Sequence, residues 1–129
     1  MADLFLLFSH TITPLQEKHA YTELGVEKII TAPRAISNLW GEIPPDYDSL
    51  IPLLQPVVSW LDQRADPGDF VLIQGDFGAV YLMVQHALSK GYVPVYSTTE
   101  RKAVENKLDD GVIRLIHIFR HVRFRTYGQ

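Results

Sequence analysis

The sequence predicts an α/β fold: a mostly parallel sheet with helices on both faces and a β element at the C-terminus. Three observations carry this. Short apolar runs recur along the 129 residues, at Leu4–Phe8, Phe70–Ile73 and Val93–Tyr96, with a shorter one at Lys28–Thr31. Continuous apolar runs of this length read as strands buried on both faces. Between them lie helix-start signals and stretches of helical spacing, and strand–helix alternation of this kind argues for a parallel sheet. After Gly111 the pattern turns to β.

Each element has a local reason. Thr13-Pro14 is a helix start, with Thr13 as N-cap and Pro14 at the first helical position. That helix is expected to run to about Leu24, with Gly25 at its end. Residues 33–47 carry Pro33, Gly41, Pro44 and Pro45 and read as irregular, with Ile36, Leu39 and Trp40 forming one helical turn. Asp48 or Ser49 is expected to cap a long helix to about Arg64, whose apolar face is Leu50, Leu54, Val57, Val58 and Leu61. Pro56 should kink it. Asp66–Asp69 is a turn, and the Phe70–Ile73 strand leads through Gly75 and Gly78 into a helix that ends near Lys90 and Gly91. Pro94 places the Val93–Tyr96 strand at an edge, or itself at the strand's first residue. A short polar helix is expected over about Glu100–Lys107. A turn at Asp109–Gly111 then leads to two strands, 112–119 and 121–127, which could pair as a hairpin.

Composition bounds the rest. One domain, residues 1–129, is the expectation at this length. No apolar run approaches the ~20 residues of a membrane span, and Met1-Ala2-Asp3 has no basic region of the secretory kind. Cysteine is absent, which excludes disulfides, thiolate zinc sites and Cys nucleophiles and agrees with a cytoplasmic location. The net charge of −3 divides into −7 over residues 1–110 and +4 over 111–129, where Arg114, Arg120, Arg123 and Arg125 stand without an acid. An acidic chain is a poor binder of duplex nucleic acid, but a small anion held by local arginines and backbone N–H groups fits.

Ligands of open parallel sheets sit outside the carboxyl ends of the strands, which selects three loops. Gln74-Gly75-Asp76-Phe77-Gly78-Ala79 is the strongest: its glycines let backbone approach a ligand and the helix start offers N–H groups to an anion. The bland reading is a tight turn with Asp76 as a helix cap. Ser9-His10-Thr11 could hold a phosphate or a ribose hydroxyl, and His10 is the histidine best placed for proton transfer. Against this stands a plain polar loop. Thr98, Thr99 and Arg101 read as a hydroxyl-rich helix start with a cation for phosphate, or as simple capping. His121, Arg123 and Arg125 alternate on one strand face as a polyanion clamp, or as charges that protect an edge. His19 and His86 are expected at the surface, His117 in the core. No His or carboxylate set has metal-ligand spacing, so no metal or other cofactor is expected.

Several blocks resemble a known family. Leu6-Leu7-Phe8-Ser9-His10, Trp40 with Ile43-Pro44-Pro45, Leu72 to Ala79, Tyr96 with Thr98-Thr99 and Arg101, and Phe119 with His121 to Arg125 are similar to a small CRISPR-associated accessory family of type III systems. The resemblance spans nearly the whole chain. It implies a Rossmann-like fold akin to sensor domains for cyclic oligoadenylate, a two-fold homodimer, and metal-independent ring-nuclease activity on cyclic tetra-adenylate. On that reading Ser9, His10 and Thr11 hold the reacting ribose and phosphate, with Ser9 and His10 as the catalytic pair. Gln74, Gly75, Asp76, Phe77 and Gly78 cradle ligand. Thr98, Thr99 and Arg101 bind a second phosphate, and Arg123 and Arg125 stabilise the polyanion. The competing expectations are a non-catalytic module that sequesters the same nucleotide, an interaction protein that docks a partner through Trp40 and Ile43-Pro44-Pro45, and an unrelated mononucleotide enzyme.

Overall fold

The computed structural model describes residues 1–129. β1 (Leu4–Leu7) is buried along its whole length. It pairs in parallel with β2 (Ile29–Thr31) on one side and β3 (Phe70–Ile73) on the other. β3 pairs in parallel with β4 (Val93–Lys107), and β4 pairs antiparallel with β5 (Ile113–Thr126). The sheet order is β2-β1-β3-β4-β5, a Rossmann-like α/β arrangement with a C-terminal antiparallel pair.

Alternation along the strands sorts the core into two layers. Leu4, Leu6, Leu72, Val95 and Phe124 face α1 (Pro14–Thr22), where Ala20 closes the cluster. Phe5, Leu7, Val71 and Ile73 face α2 (Arg34–Gly41), α3 (Gln55–Arg64) and α4 (Phe77–Lys90). The helices therefore lie on both faces, one against three. α1 starts as expected: Thr13 Oγ1 accepts from Gln16 N–H at 3.1 Å and Gln16 Oε1 accepts from Thr13 N–H at 2.9 Å, a reciprocal cap.

Six expectations are corrected. The segment with Ile36, Leu39 and Trp40 is a full helix of 8 residues, α2. The helix expected from Asp48 begins only at Gln55, and Pro56 sits in its first turn instead of kinking it. Pro94 is not at an edge. It is the second residue of a strand flanked on both sides, and its carbonyl accepts from Tyr127 N–H at 2.9 Å, where β5 has already ended. Residues 100–107 are strand, not helix, and 112–119 with 121–127 make one strand that pairs with β4, not a hairpin of their own. The physical cause is cross-strand pairing. Residues 113–119 meet residues 101–107 residue for residue, and such pairing outweighs the weak helix propensity of a polar stretch.

The outer part of that hairpin leaves the body. Every residue from Thr99 to Lys107 and from Asp109 to Arg120 is exposed, so β4 and β5 extend beyond the sheet as a two-stranded arm.

Candidate functional site

β1 and β3 are neighbours, with Leu7 paired to Ile73, so the loops that begin at Phe8 and at Gln74 leave adjacent strand ends. Trp40 lies beneath the second loop. Its Nε1–H donates to the Gln74 carbonyl at 2.8 Å, and a Cβ built on Gly75 would come within 2.8 Å of that nitrogen. Glycine is required at 75 by this close approach. Asp76 caps α4, its Oδ2 accepting from Ala79 N–H at 3.1 Å. The next residue, Phe77, is 94% exposed.

Phe77 borders a hollow of about 380 Å³ lined by Gln74, Gly75, Phe77, Val80, Tyr96 and Tyr127. The two tyrosine rings lie 4.8 Å apart. Tyr127 O–H donates to the Ile73 carbonyl at 2.6 Å, and burial, then Tyr96, push its pKa up. Arg125 lies over the Tyr96 ring at 5.7 Å and donates to its hydroxyl at 3.0 Å. A second hollow of about 380 Å³ is bounded by Arg123, Phe124, Arg125, Thr126 and Gln129. One end of the sheet thus combines aromatic rings, a glycine turn and two arginines, a combination suited to a planar base joined to phosphate.

A larger hollow of about 490 Å³ lies beside the α4 start, between Ile43, Tyr47, Leu50, Asp76 and Tyr81. It holds Asp48 and Asp76 and no cation, which makes it unfit for an anionic ligand.

The expected site residues divide. Gln74, Gly75 and Phe77 come together with Arg125, and Arg123 is adjacent. Thr98 is occupied by backbone: its hydroxyl accepts from Arg123 N–H at 3.2 Å and donates to the Arg123 carbonyl at 3.0 Å. Thr99 and Arg101 do not start a helix. Both lie on the arm, where Arg101 donates to His117 Nδ1 at 3.3 Å and covers Phe119. His117 is exposed there, not in the core. Ser9, His10 and Thr11 form an exposed loop; Ser9 approaches Gly41 and the His10 ring packs edge-on against Phe8. Gly78 lies on the acidic hollow. Trp40 is 2% exposed, which counts against its docking a partner.

His121, Arg123 and Arg125 do not share a face. Thr98 pairs with Arg123 while Thr99 pairs with His121, so Val122 is an extra, bulged residue. A bulge of one residue reverses the alternation. Arg123 and Arg125 therefore go to the Tyr96 face and His121 to the α1 face.

There His121 is buried and joins a polar chain that the sequence did not announce. Gln74 Oε1 accepts from Ser97 N–H at 2.8 Å, and Gln16 Nε2 donates to Ser97 Oγ at 3.3 Å. Ser97 Oγ also pairs with His121 Nδ1. His121 Nε2 and His19 Nδ1 share a hydrogen bond at 3.1 Å, and His19 Nε2 lies 3.9 Å from Glu23. Burial, then the proximity of His19, hold the His121 pKa below its ordinary value, with Glu23 opposing. The signal available is a stripe: Gln16, His19 and Ala20 share one face of α1, with Glu23 capping its end.

A family model described as "Uncharacterized protein MJ1673 family" matches residues 2–125. The chain is 46% identical over 128 residues to "Uncharacterized protein MJ1673" of Methanocaldococcus jannaschii, which covers 99% of this chain and 98% of that one. No solved structure matches it.

Proposed function

The chain belongs to the MJ1673 family, and from that premise and the site just described we propose that it is a metal-independent ring nuclease for cyclic oligoadenylate, cyclic tetra-adenylate first. The observation that carries the proposal is Phe77. A phenyl ring 94% exposed, beside a glycine turn at the strand ends and across a hollow from Tyr96 and Arg125, is costly in water and useful under a base. Stacking of a base on an aromatic ring is worth about 1–3 kcal/mol. The resemblance to the type III CRISPR accessory family supplies the identity of the nucleotide, and the absence of cysteine fits a cytoplasmic setting.

In this reading Phe77 stacks an adenine, the Gly75 backbone lies along the ribose-phosphate, and Arg123 and Arg125 bind phosphate oxygens. Ser9 and Thr11 offer hydroxyls to the reacting ribose, and His10 moves the proton. The ribose 2′-oxygen attacks the adjacent phosphorus, the bond to the 5′-oxygen breaks, and the proton released at the 2′-oxygen ends on the leaving 5′-oxygen. The products are linear, with a 2′,3′-cyclic phosphate, and no water is consumed. Alignment and charge stabilisation are what the protein must supply.

The test is incubation with cyclic tri-, tetra- and hexa-adenylate in EDTA, with products resolved by chromatography and mass spectrometry. Linear products ending in a cyclic phosphate are expected. Intact ring co-eluting with the protein would replace the nuclease with a sequestering module. Neither binding nor cleavage would overturn the nucleotide reading altogether.

A further inference from the structure

The hollow of about 490 Å³ beside the start of α4 has no part in the nucleotide reading. Its polar walls are the carboxylates of Asp48 and Asp76, and Tyr47 and Tyr81 add aromatic rings. Asp76 commits Oδ2 to the α4 cap and keeps Oδ1. Little balances this acid nearby: from Ala35 to Ser89 the chain has one Lys or Arg, Arg64, against seven Asp and Glu. The rim is apolar where it meets water. Between Met1 and Leu88 seven large apolar side chains are exposed, and three of them, Tyr47 at 55%, Ile51 at 58% and Tyr81 at 64%, line this one hollow. Exposed apolar side chains gathered around a concavity mark a binding surface, whereas single scattered ones do not. The hollow also continues. It shares Ile51 and Leu82 with a smaller one of about 220 Å³, walled by Leu54, Val58 and Met83 and reaching His86. Gly78 lines the first and His86 the second, eight residues apart on α4, so the trough is about 12 Å long.

We propose that this trough binds a small amphiphilic cation: one ammonium or guanidinium head among Asp48, Asp76 and the two tyrosine rings, and an apolar stem of about eight carbons laid along α4 toward Val58 and Met83. Charge selects the head, since carboxylates attract a cation and the face of a tyrosine ring does the same. The smaller hollow selects the stem. A single head is called for because the acid at the far end is already engaged: Asp62 Oδ1 is bonded to His86 Nε2 and accepts from Tyr92 O–H, each at 2.8 Å, with Lys90 4.0 Å away. The occupant is a small molecule and not an extended peptide, because the trough lies between α4 and the segment 43–58 and has no strand edge for a main chain to pair with. Its size is that of small-molecule sites, ~300–1,000 Å³.

The test is calorimetric titration of the full chain with octylammonium, octanoate and octanol. None of these resembles a nucleotide, so the outcome is separate from the ring-nuclease reading. Octylammonium is expected to bind one site per chain with a Kd of about 1 mM or below, and octanoate at least about tenfold more weakly. From butyl- to octylammonium each methylene should tighten binding about two- to threefold, and decylammonium should gain little more, because the trough ends at His86. Asp48→Asn should weaken octylammonium about fivefold and leave octanol unchanged. Tyr81→Leu, which keeps an apolar wall but removes the ring, should weaken octylammonium about threefold and octanol not at all. Both residues are exposed, so the urea midpoint of each variant should be that of the wild type. No binding of octylammonium, equal binding of octanoate, or binding that survives both substitutions, as it would on the apolar arm, would overturn the proposal.

Discussion

At position 75 the difference between hydrogen and methyl decides whether the β3–α4 turn can sit on Trp40. A Cβ would meet the indole nitrogen at 2.8 Å, and that nitrogen already holds the Gln74 carbonyl. Trp40 is buried among core residues, so moving its ring disturbs the packing around it. Gly75→Ala is therefore expected to cost about 1–3 kcal/mol of stability, read as a lower urea midpoint with an unchanged slope. Phe77 is the opposite case, since nothing in the chain covers it. Phe77→Ala should leave the urea midpoint where it is and weaken adenosine monophosphate about tenfold or more. Ribose 5-phosphate, which has no base to stack, should bind the variant and wild type alike; equal losses for both would remove the stacking role. His10 separates binding from chemistry. Its ring stands exposed on the β1 loop, and His10→Ala should slow turnover by ~10²–10⁴-fold with ligand affinity nearly intact. A matching loss of affinity would make His10 a binding group instead.

Among the elements, the clasp between α1 and β5 is where pH should act. His121 is held neutral by burial and by His19, its folded pKa lying below the unfolded value of about 6.5. Its neutral form is what folding prefers, so its contribution to stability is full above about pH 6.5 and is lost as pH falls through the lowered folded value. The groups around it are His19, Glu23, Glu100 and Arg120. Urea unfolding at pH 7.5 and 5.5 should show the wild type losing stability, and His121→Gln should lose less. This junction also marks where the sequence stops being legible. β1, β3, α1 and α4 were readable because buried parallel strands and capped helices leave strong local marks: an apolar run, Thr13-Pro14, Asp76 before Phe77. The Val122 bulge leaves none. It is fixed by the pairing of two strands, and one extra residue was enough to part His121 from Arg123 and Arg125. The arm is illegible in the sequence for a related reason. A polar stretch such as Thr98–Lys107 becomes strand only because the apolar run 112–119 lies opposite, and no short window of sequence contains both. Of the candidate site, the strand-end loop at Gln74–Phe77 and the two arginines could be read in advance; Tyr127, Trp40 beneath Gly75 and the Ser97–His121–His19 chain depend on tertiary contact.

The whole molecule sets a charge condition on any phosphate ligand. The chain is acidic, and the acid is spread over the body while the arginines gather at the C-terminal strand. A duplex-binding protein with 6–10 phosphate contacts loses ~10³–10⁵ in affinity between 50 and 200 mM salt. Here two arginines per chain, Arg123 and Arg125, face the ligand hollows. Each phosphate contact contributes about one unit to the slope of log affinity against log salt, so a fourfold rise in salt should weaken a cyclic oligoadenylate by about tenfold for the two contacts of one chain, and by about a hundredfold where two chains share the ring. Arg123→Gln and Arg125→Gln should each lower the affinity and also flatten that slope by about one unit, whereas Arg114→Gln, out on the arm, should change neither. Titrations of cyclic tetra-adenylate at four salt concentrations would decide it. A slope that stays steep in the double variant would place the phosphates elsewhere on the protein, and a slope abolished by Arg114→Gln would move the ligand onto the arm. The wild-type slope is set by the few cations that reach the ligand, because residues 1–110 carry 15 acidic groups against 8 basic ones, so a ligand is held by a few close contacts and not by a field.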